Sequence, residues 1–224
     1  AVVARRTGEG DALRSSQALW TSLGLATFLG LLVTLLCVAG RDMGMNWLGQ
    51  EMFDQDPQSR ARILQEAGGY LTWFLLLFPL RALVVTLEST VRGAGESLLP
   101  VVGGVVANLF NILGNAVLLY GLWGFPKMGV EGVGLATGLA PLVEVVLILG
   151  VLLLRKTGRI SLRIPGALGF SWTEARQIIR LSLPALGAAV LFHSGFVVYQ
   201  FAIFKLDARS MAAHRAAIAI QSLA

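Results

Sequence analysis

Leu98-Leu-Pro-Val-Val-Gly-Gly-Val-Val-Ala-Asn-Leu-Phe-Asn-Ile-Leu-Gly-Asn-Ala-Val-Leu-Leu-Tyr120 contains no charged residue, and its only strongly polar side chains are asparagines. A hydrocarbon core about 30 Å thick is crossed by about 20 helical residues rising 1.5 Å each. The stretch has that length and that apolarity, so lipid is the solvent it is built for.

Working outward, four more runs of the same kind flank it, roughly Ala18 to Ala39, Tyr70 to Leu87, Val130 to Leu154 and Leu181 to Phe204, and a truncated one begins at Met211. Hydrophobic residues make up 55% of the chain and charged residues 14%. Soluble domains carry roughly a quarter of charged residues. Mean hydropathy is +0.72. The expected fold is all-α, a polytopic transmembrane helical bundle. Pro141 and Pro184 fall inside or near spans, which is tolerable where neighbouring helices or water satisfy the freed carbonyls. The chain opens without a methionine and closes inside an alanine-rich helical pattern, so it reads as cut from something longer.

Two connecting stretches carry helix signals. Asp56 before Pro57 forms an N-cap and first-turn pair, followed by Ile63, Leu64 and Ala67 at helical spacing, which predicts a short surface helix. Ser171-Trp172-Thr173-Glu174 has the capping-box pattern and predicts an interfacial helix lying on the membrane before the chain turns inward.

The net charge of +5 does not point to nucleic acid, because its arginines and lysines flank hydrophobic runs and no basic and aromatic motif accompanies them. Counting basic residues in alternate loops gives the orientation. Arg5, Arg6, Arg14, Arg92, Arg155, Lys156, Arg159, Arg163, Arg176 and Arg180 lie on one side. They outnumber Arg41, Arg60, Arg62, Lys127, Lys205 and Arg209 on the other, so the first side is expected to be cytoplasmic. The lone Cys37 excludes a disulfide framework and a thiolate zinc cluster. No Ser-His-Asp order, metal-ligand spacing or phosphate loop stands out, so neither an enzyme nor a bound metal or cofactor is expected.

Polar groups inside apolar helices cost free energy unless they face a partner or water, which makes them the candidates for function. Asn108, Asn111 and Asn115 stand at i, i+3 and i+7 on one helix face. They serve either as interhelical hydrogen bonds, worth ~0.6 kcal/mol each, or as a cavity lining. Thr137, Pro141 and Glu144 share a face of the next run. A carboxylate at mid-helix costs on the order of 3 kcal/mol to insert, so Glu144 is protonated, paired or wet. Ser182, His193 and Gln200 share a face of the fifth run. Histidine is the side chain most suited to exchanging a proton near neutral pH, and a neutral packing role is the alternative. Arg81, Glu88 and Arg92 read as an ion pair or a snorkelled interface rather than a substrate site.

Arg92-Gly-Ala-Gly-Glu-Ser-Leu-Leu-Pro100 resembles the Arg-Gly-x-Gly-Asp-Thr-x-x-Pro pattern joining helices four and five of multidrug and toxic compound extrusion transporters. Asn111-Ile-Leu-Gly-Asn115 followed by Tyr120-Gly121 is similar to the family's fifth helix, and Lys127-Met-Gly-Val-Glu-Gly-Val-Gly-Leu-Ala-Thr137 to the start of its sixth. Leu181-Ser-Leu-Pro184 and Met211-Ala-Ala-His214 resemble the openings of helices seven and eight, and the segment from Val3 to Asp11 the loop after helix two. The resemblance assigns the six runs to helices three to eight of a fold with two six-helix lobes arranged as an inverted V. Residues 1–165 would then end the N-terminal lobe and residues 166–224 begin the C-terminal one.

The resemblance implies export of amphipathic or cationic organic compounds by alternating access, with H+ or Na+ as the coupling ion. It implies a protein of the bacterial inner membrane, monomeric when full length, whose partners are the bilayer and small organic substrates. The family's cation site on helices five and six falls on Asn111, Asn115 and Thr137, and Asn115 stands where the family has an aspartate. The acidic position of helix seven in other branches falls on Phe192, next to His193. A flippase of lipid-linked saccharides, which would need a strongly basic cavity, is the alternative within the superfamily. A channel or receptor is the alternative outside it. The candidate cation or substrate residues are thus Asn111, Asn115, Thr137, Glu144, His193 and Gln200.

Overall fold

The computed structural model describes residues 2–9, 12–52, 57–154 and 169–206, and every regular element among them is helical. In chain order these are α1 (Val2–Gly8), α2 (Ala12–Met52), α3 (Pro57–Leu76), α4 (Phe78–Gly93), α5 (Leu98–Tyr120), α6 (Val130–Leu154) and α7 (Trp172–Leu206). A 3₁₀ turn at Leu122–Gly124 joins α5 to α6. Helices α2, α5, α6 and α7 are each long and apolar enough to cross a membrane, and α3 and α4, bent on one another, reach that length and apolarity only as a pair. The all-α transmembrane bundle expected from composition is the observed architecture. The run from Met211 and the Asp56 cap lie outside the described residues.

Helices α5 and α6 have the bounds their apolar runs predict. Gly121, at φ 72°, ends α5 in the left-handed conformation that an L side chain rarely adopts, and its N–H donates to the Val117 carbonyl at 2.9 Å.

The run expected to cross as one helix from Tyr70 to Leu87 is instead bent by 48° at Leu77. Pro79 is the cause: it has no N–H to give, and its ring crowds the carbonyl four residues earlier, that of Leu75. A carbonyl left bare in hydrocarbon costs several kcal/mol. Thr34 of α2 removes that cost, its hydroxyl donating to the Leu75 carbonyl at 2.9 Å. Helix α2 reaches the break because Gly30 has no side chain; a Cβ there would stand 3.0 Å from Pro79 Cα.

The short surface helix predicted after Pro57 is not a separate element. Pro57 opens α3, which runs unbroken through Gly68 and Gly69 into the span. The glycine pair serves close approach rather than a stop: a Cβ at Gly68 would meet the Arg41 guanidinium at 2.7 Å, and one at Gly69 the Glu131 side chain at 3.3 Å.

Helix α6 is the centre of the bundle, packed on α3, α4 and α5. Its small residues form two stripes, the arrangement that lets membrane helices approach closely. Gly134 and Gly138 face α3, where added Cβ atoms would lie 2.6 Å from the Tyr70 carbonyl oxygen and 2.6 Å from a Leu77 methyl. Gly132 and Ala136 face α5 at Leu118 and Gly114. Nearer the α4–α5 loop, Leu19 of α2, Val84, Leu87 and Val91 of α4, and Ile148 and Leu152 of α6 close an apolar core. Outward side chains such as Phe28, Leu35, Val105 and Ile112 are large, apolar and exposed, as a lipid-facing surface requires.

The predicted interfacial helix is the first turns of α7, not an independent element. Ser171 caps it, its Oγ accepting the Glu174 N–H at 3.4 Å, while the Ser171 N–H donates to Thr21 Oγ1 of α2 at 3.0 Å. Nothing between Arg180 and Pro184 interrupts the helix, because a proline in a helix costs a carbonyl partner without obliging a stop. Helix α7 touches α1 and α2 alone among the described elements, and its side chains from Leu181 to Tyr199 are exposed.

Candidate functional site

A cavity of about 520 Å³ opens where α4, α5 and α6 meet beside the α3–α4 break. Pro79 breaks the α3–α4 crossing at Leu77, and Leu77 and Phe78 form part of the wall. Small residues on the facing helices, Gly104 and Ala107 of α5 and Gly138 and Ala140 of α6, leave the volume unfilled.

The polar wall comes from three helices. Helix α5 supplies Asn108 and Asn111, α6 supplies Thr137 and Glu144, and α4 supplies Arg81 and Glu88. Thr137 Oγ1 donates to Asn111 Oδ1 at 3.3 Å, so two residues read from the sequence as one site do meet. Pro141, also in the wall, lacks the N–H that would bond the Thr137 carbonyl, which leaves a backbone oxygen beside the threonine hydroxyl. Amide, hydroxyl and carbonyl oxygens together form a donor set suited to a small hard cation.

Glu144 is 4% exposed, and its Oε1 has no hydrogen-bond partner among the described residues. Its side chain lies against the glycine pair of α5: a Cβ at Gly103 would stand 3.3 Å from Glu144 Cγ, and one at Gly104 would stand 3.8 Å from Oε1. Glu88 of α4 lines the same cavity as Glu144. Glu88 also receives Arg92 Nη2 at 3.0 Å, the i, i+4 pair its spacing predicts.

The remaining candidates lie elsewhere. Asn115, further along α5, does not reach the cavity, and its buried Oδ1 has no partner among the described residues. His193 and Gln200 sit on α7, which does not touch α4, α5 or α6. The His193 ring uses Nδ1 within its own helix, 2.8 Å from the Ala189 carbonyl oxygen. Arg81 and Glu88, read from the sequence as an interface pair, line the cavity as well. Their i, i+7 spacing puts both on one face of α4, but nothing in that spacing turns the face toward Glu144.

The MatE family profile matches residues 1–117, just over half of the 224 residues. The chain is 25% identical over 221 residues to a protein named probable multidrug resistance protein NorM from Thermotoga maritima, covering 99% of this chain and 45% of that one. It is 32% identical over 181 residues to a protein of the same name from Mesorhizobium japonicum, covering 79% of this chain and 38% of the relative. Multidrug resistance protein PmpM of Pseudomonas aeruginosa is 29% identical over 231 residues, with 100% of this chain and 45% of that protein covered. The chain therefore spans less than half the length of these relatives. A solved structure described as the inward-facing conformation of a multidrug resistance MATE family transporter of the MOP superfamily superposes with a TM-score of 0.65. It shares 22% identity over 82% of this chain and 38% of its own, a likeness of fold.

Proposed function

This chain belongs to the MatE family, and on that premise we propose that it supplies helices three to eight of a secondary active transporter. The whole protein exports amphipathic or cationic organic compounds in exchange for H+ or Na+, by alternating access. Residues 1–165 complete the N-terminal lobe and residues 166–224 begin the C-terminal one. The protein is integral to the membrane, and its bacterial relatives support the bacterial inner membrane as its location. It works as a monomer with no bound cofactor, exchanging small organic substrates across the bilayer.

The observation that carries this reading is a cavity of about 520 Å³ with polar groups in its wall inside an otherwise apolar bundle, Asn111 and Thr137 joined in that wall and Glu144 buried in it. Lipid-facing helices do not retain such groups without use, because each polar side chain in hydrocarbon carries a cost. One charge moving through 100 mV supplies about 2.3 kcal/mol, enough to hold a substrate gradient of roughly fifty-fold. The cavity wall sets one arginine, Arg81, against two carboxyls, Glu88 and Glu144. That balance favours cationic cargo over the anionic saccharide carriers that a basic cavity would take.

The test is gradient-driven efflux of a fluorescent lipophilic cation from proteoliposomes holding the full-length protein. The Asn111→Ala variant gives up one interhelical bond of ~0.6 kcal/mol, so the protein folds while the cavity loses an oxygen donor. Efflux is expected to fall. Efflux indistinguishable from the parent at equal protein density would overturn the assignment of the cavity.

A further inference from the structure

We propose that Glu88 and Glu144 form a carboxyl pair that binds one proton, at the end of the cavity nearest the α4–α5 loop and separate from the Asn111–Thr137 contact. The inference rests on the transporter reading and adds to it the identity of the ion and the two residues that carry it.

The site is built by three helices. Gly103 and Gly104 of α5 leave room for the Glu144 side chain, with Oε1 3.6 Å from where a Gly103 Cβ would stand. That oxygen is buried, has no partner among the described residues, and belongs to a side chain lining the cavity. Glu88 lines the same cavity from α4 and pairs with Arg92 at 3.0 Å. Glu144 and Thr137 are seven residues apart on α6, about 10 Å at 1.5 Å per residue. The carboxyl pair and the amide–hydroxyl contact are therefore distinct places in one cavity.

The charged groups around the pair come mainly from one helix. Helix α4 brings Arg81, Glu88 and Arg92. The residues that α3, α5 and α6 contribute to the cavity besides Glu144 are apolar, amide or hydroxyl side chains. On α1, Arg5 and Glu9 pair with each other at the surface. Arg81 and Arg92 oppose any cation at the pair, a proton as much as a metal ion, so the choice between them rests on ligands rather than on charge. A proton needs no coordination shell, and two carboxyls that face each other hold one proton more readily than they bear two charges. In the loaded state the proton sits on one carboxyl, and the other accepts from it while keeping Arg92. Release breaks one O–H bond and hands the proton to water in the cavity. It leaves a second carboxylate, for which Arg81, in the same cavity, is the available counter-ion.

The experiment follows the carboxyl groups and transport separately, in the full-length protein. Infrared difference spectra between acid and alkaline pH are expected to contain a protonated-carboxyl band. Glu144→Gln should abolish that band, Asn111→Ala should leave it, and Na+ should not displace it. In proteoliposomes Glu144→Gln should lose pH-driven efflux of a fluorescent lipophilic cation about tenfold or more. The tenfold loss corresponds to about 1.4 kcal/mol of lost driving force. Glu144→Asp should restore part of it. A band unchanged in Glu144→Gln, or displaced by Na+, overturns the proposal. So does full pH-driven efflux in that variant at equal protein density. A parent protein that titrates as described but moves no dye under any gradient overturns the exporter reading and leaves the proton site standing.

Discussion

Replacing Gly134 by alanine adds one methyl group at one of the tightest helix contacts among the described residues. The new Cβ would stand 2.6 Å from the Tyr70 carbonyl oxygen and 2.9 Å from Tyr70 Cα. Both are backbone atoms, so no side chain can rotate away, and α3 and α6 must separate by about 0.5 Å or more in a region packed like a solid. Overpacking of this kind costs about 1–3 kcal/mol. The gain in helix propensity, about 1 kcal/mol, works in the opposite sense. Gly150 supplies the control, because it lies on the same helix and a Cβ there meets nothing within 4 Å. Propensity is common to both variants, so their difference reports packing alone. Unfolding of the full-length protein in graded mixtures of mild and denaturing detergent measures that difference. Gly134→Ala is expected to fall below Gly150→Ala by about five-fold to 150-fold in the folding equilibrium, the equivalent of 1–3 kcal/mol. Equal midpoints would refute the claim that backbone contact between α3 and α6 sets the geometry of the bundle.

The break in the α3–α4 crossing supports a second expectation. Thr34→Val removes the hydroxyl that satisfies the Leu75 carbonyl and should cost about 0.6–1.7 kcal/mol, the range of hydrogen bonds in membrane proteins. In a Pro79→Ala background the Leu75 carbonyl regains a helical N–H, so the same change should cost distinctly less; an unchanged cost in the same detergent titration would separate Thr34 from the break. His193→Gln is expected to leave pH-driven dye efflux within about two-fold of the parent, well under the tenfold that 1.4 kcal/mol of lost driving force would produce. Its helix does not reach the cavity and its Nδ1 is engaged with Ala189. Loss of pH dependence in that variant would move the coupling group to α7.

The spans were legible because hydrocarbon demands length and apolarity and little else. Both ends of α5 and α6 coincide with the ends of their apolar runs, since Gly121 at φ 72° and Gly129 at φ 64° stop the helices where the hydropathy also drops. The break at Leu77 left no mark in hydropathy, as Tyr70 to Leu87 is apolar on both sides of it; Pro79 alone records it. The pairing of Asn111 with Thr137 was readable from the shared helix faces and from the family pattern. The involvement of Glu88 was not, because the rotation of α4 about its axis follows from a 48° bend that the residue spacing does not encode. The two small-residue stripes of α6 stood in plain view as alternate glycines and alanines from Gly132 to Ala140. Their meaning depended on knowing that two helices, not one, approach that side.

The break and the proton site bear on one another through the cavity wall. Leu77 and Phe78 sit at the bend, Arg81 follows one turn later on α4, and Glu88 lies two turns beyond Arg81. Helix α6 opposes all of them, held at close range to α3 through Gly134 and Gly138 and to α5 through Gly132 and Ala136. Helix α4 therefore begins where backbone hydrogen bonding is already interrupted, against a closely packed neighbour. Gain or loss of a proton changes the charge facing Arg81 by a full unit, and a change in the bend changes the distance between Arg81 and Glu144. A coupling claim needs an element with two arrangements that the ion biases. If one arginine and one proton compete for the same carboxylate, the α3–α4 crossing, bent by 48°, is the element expected to shift when the proton leaves.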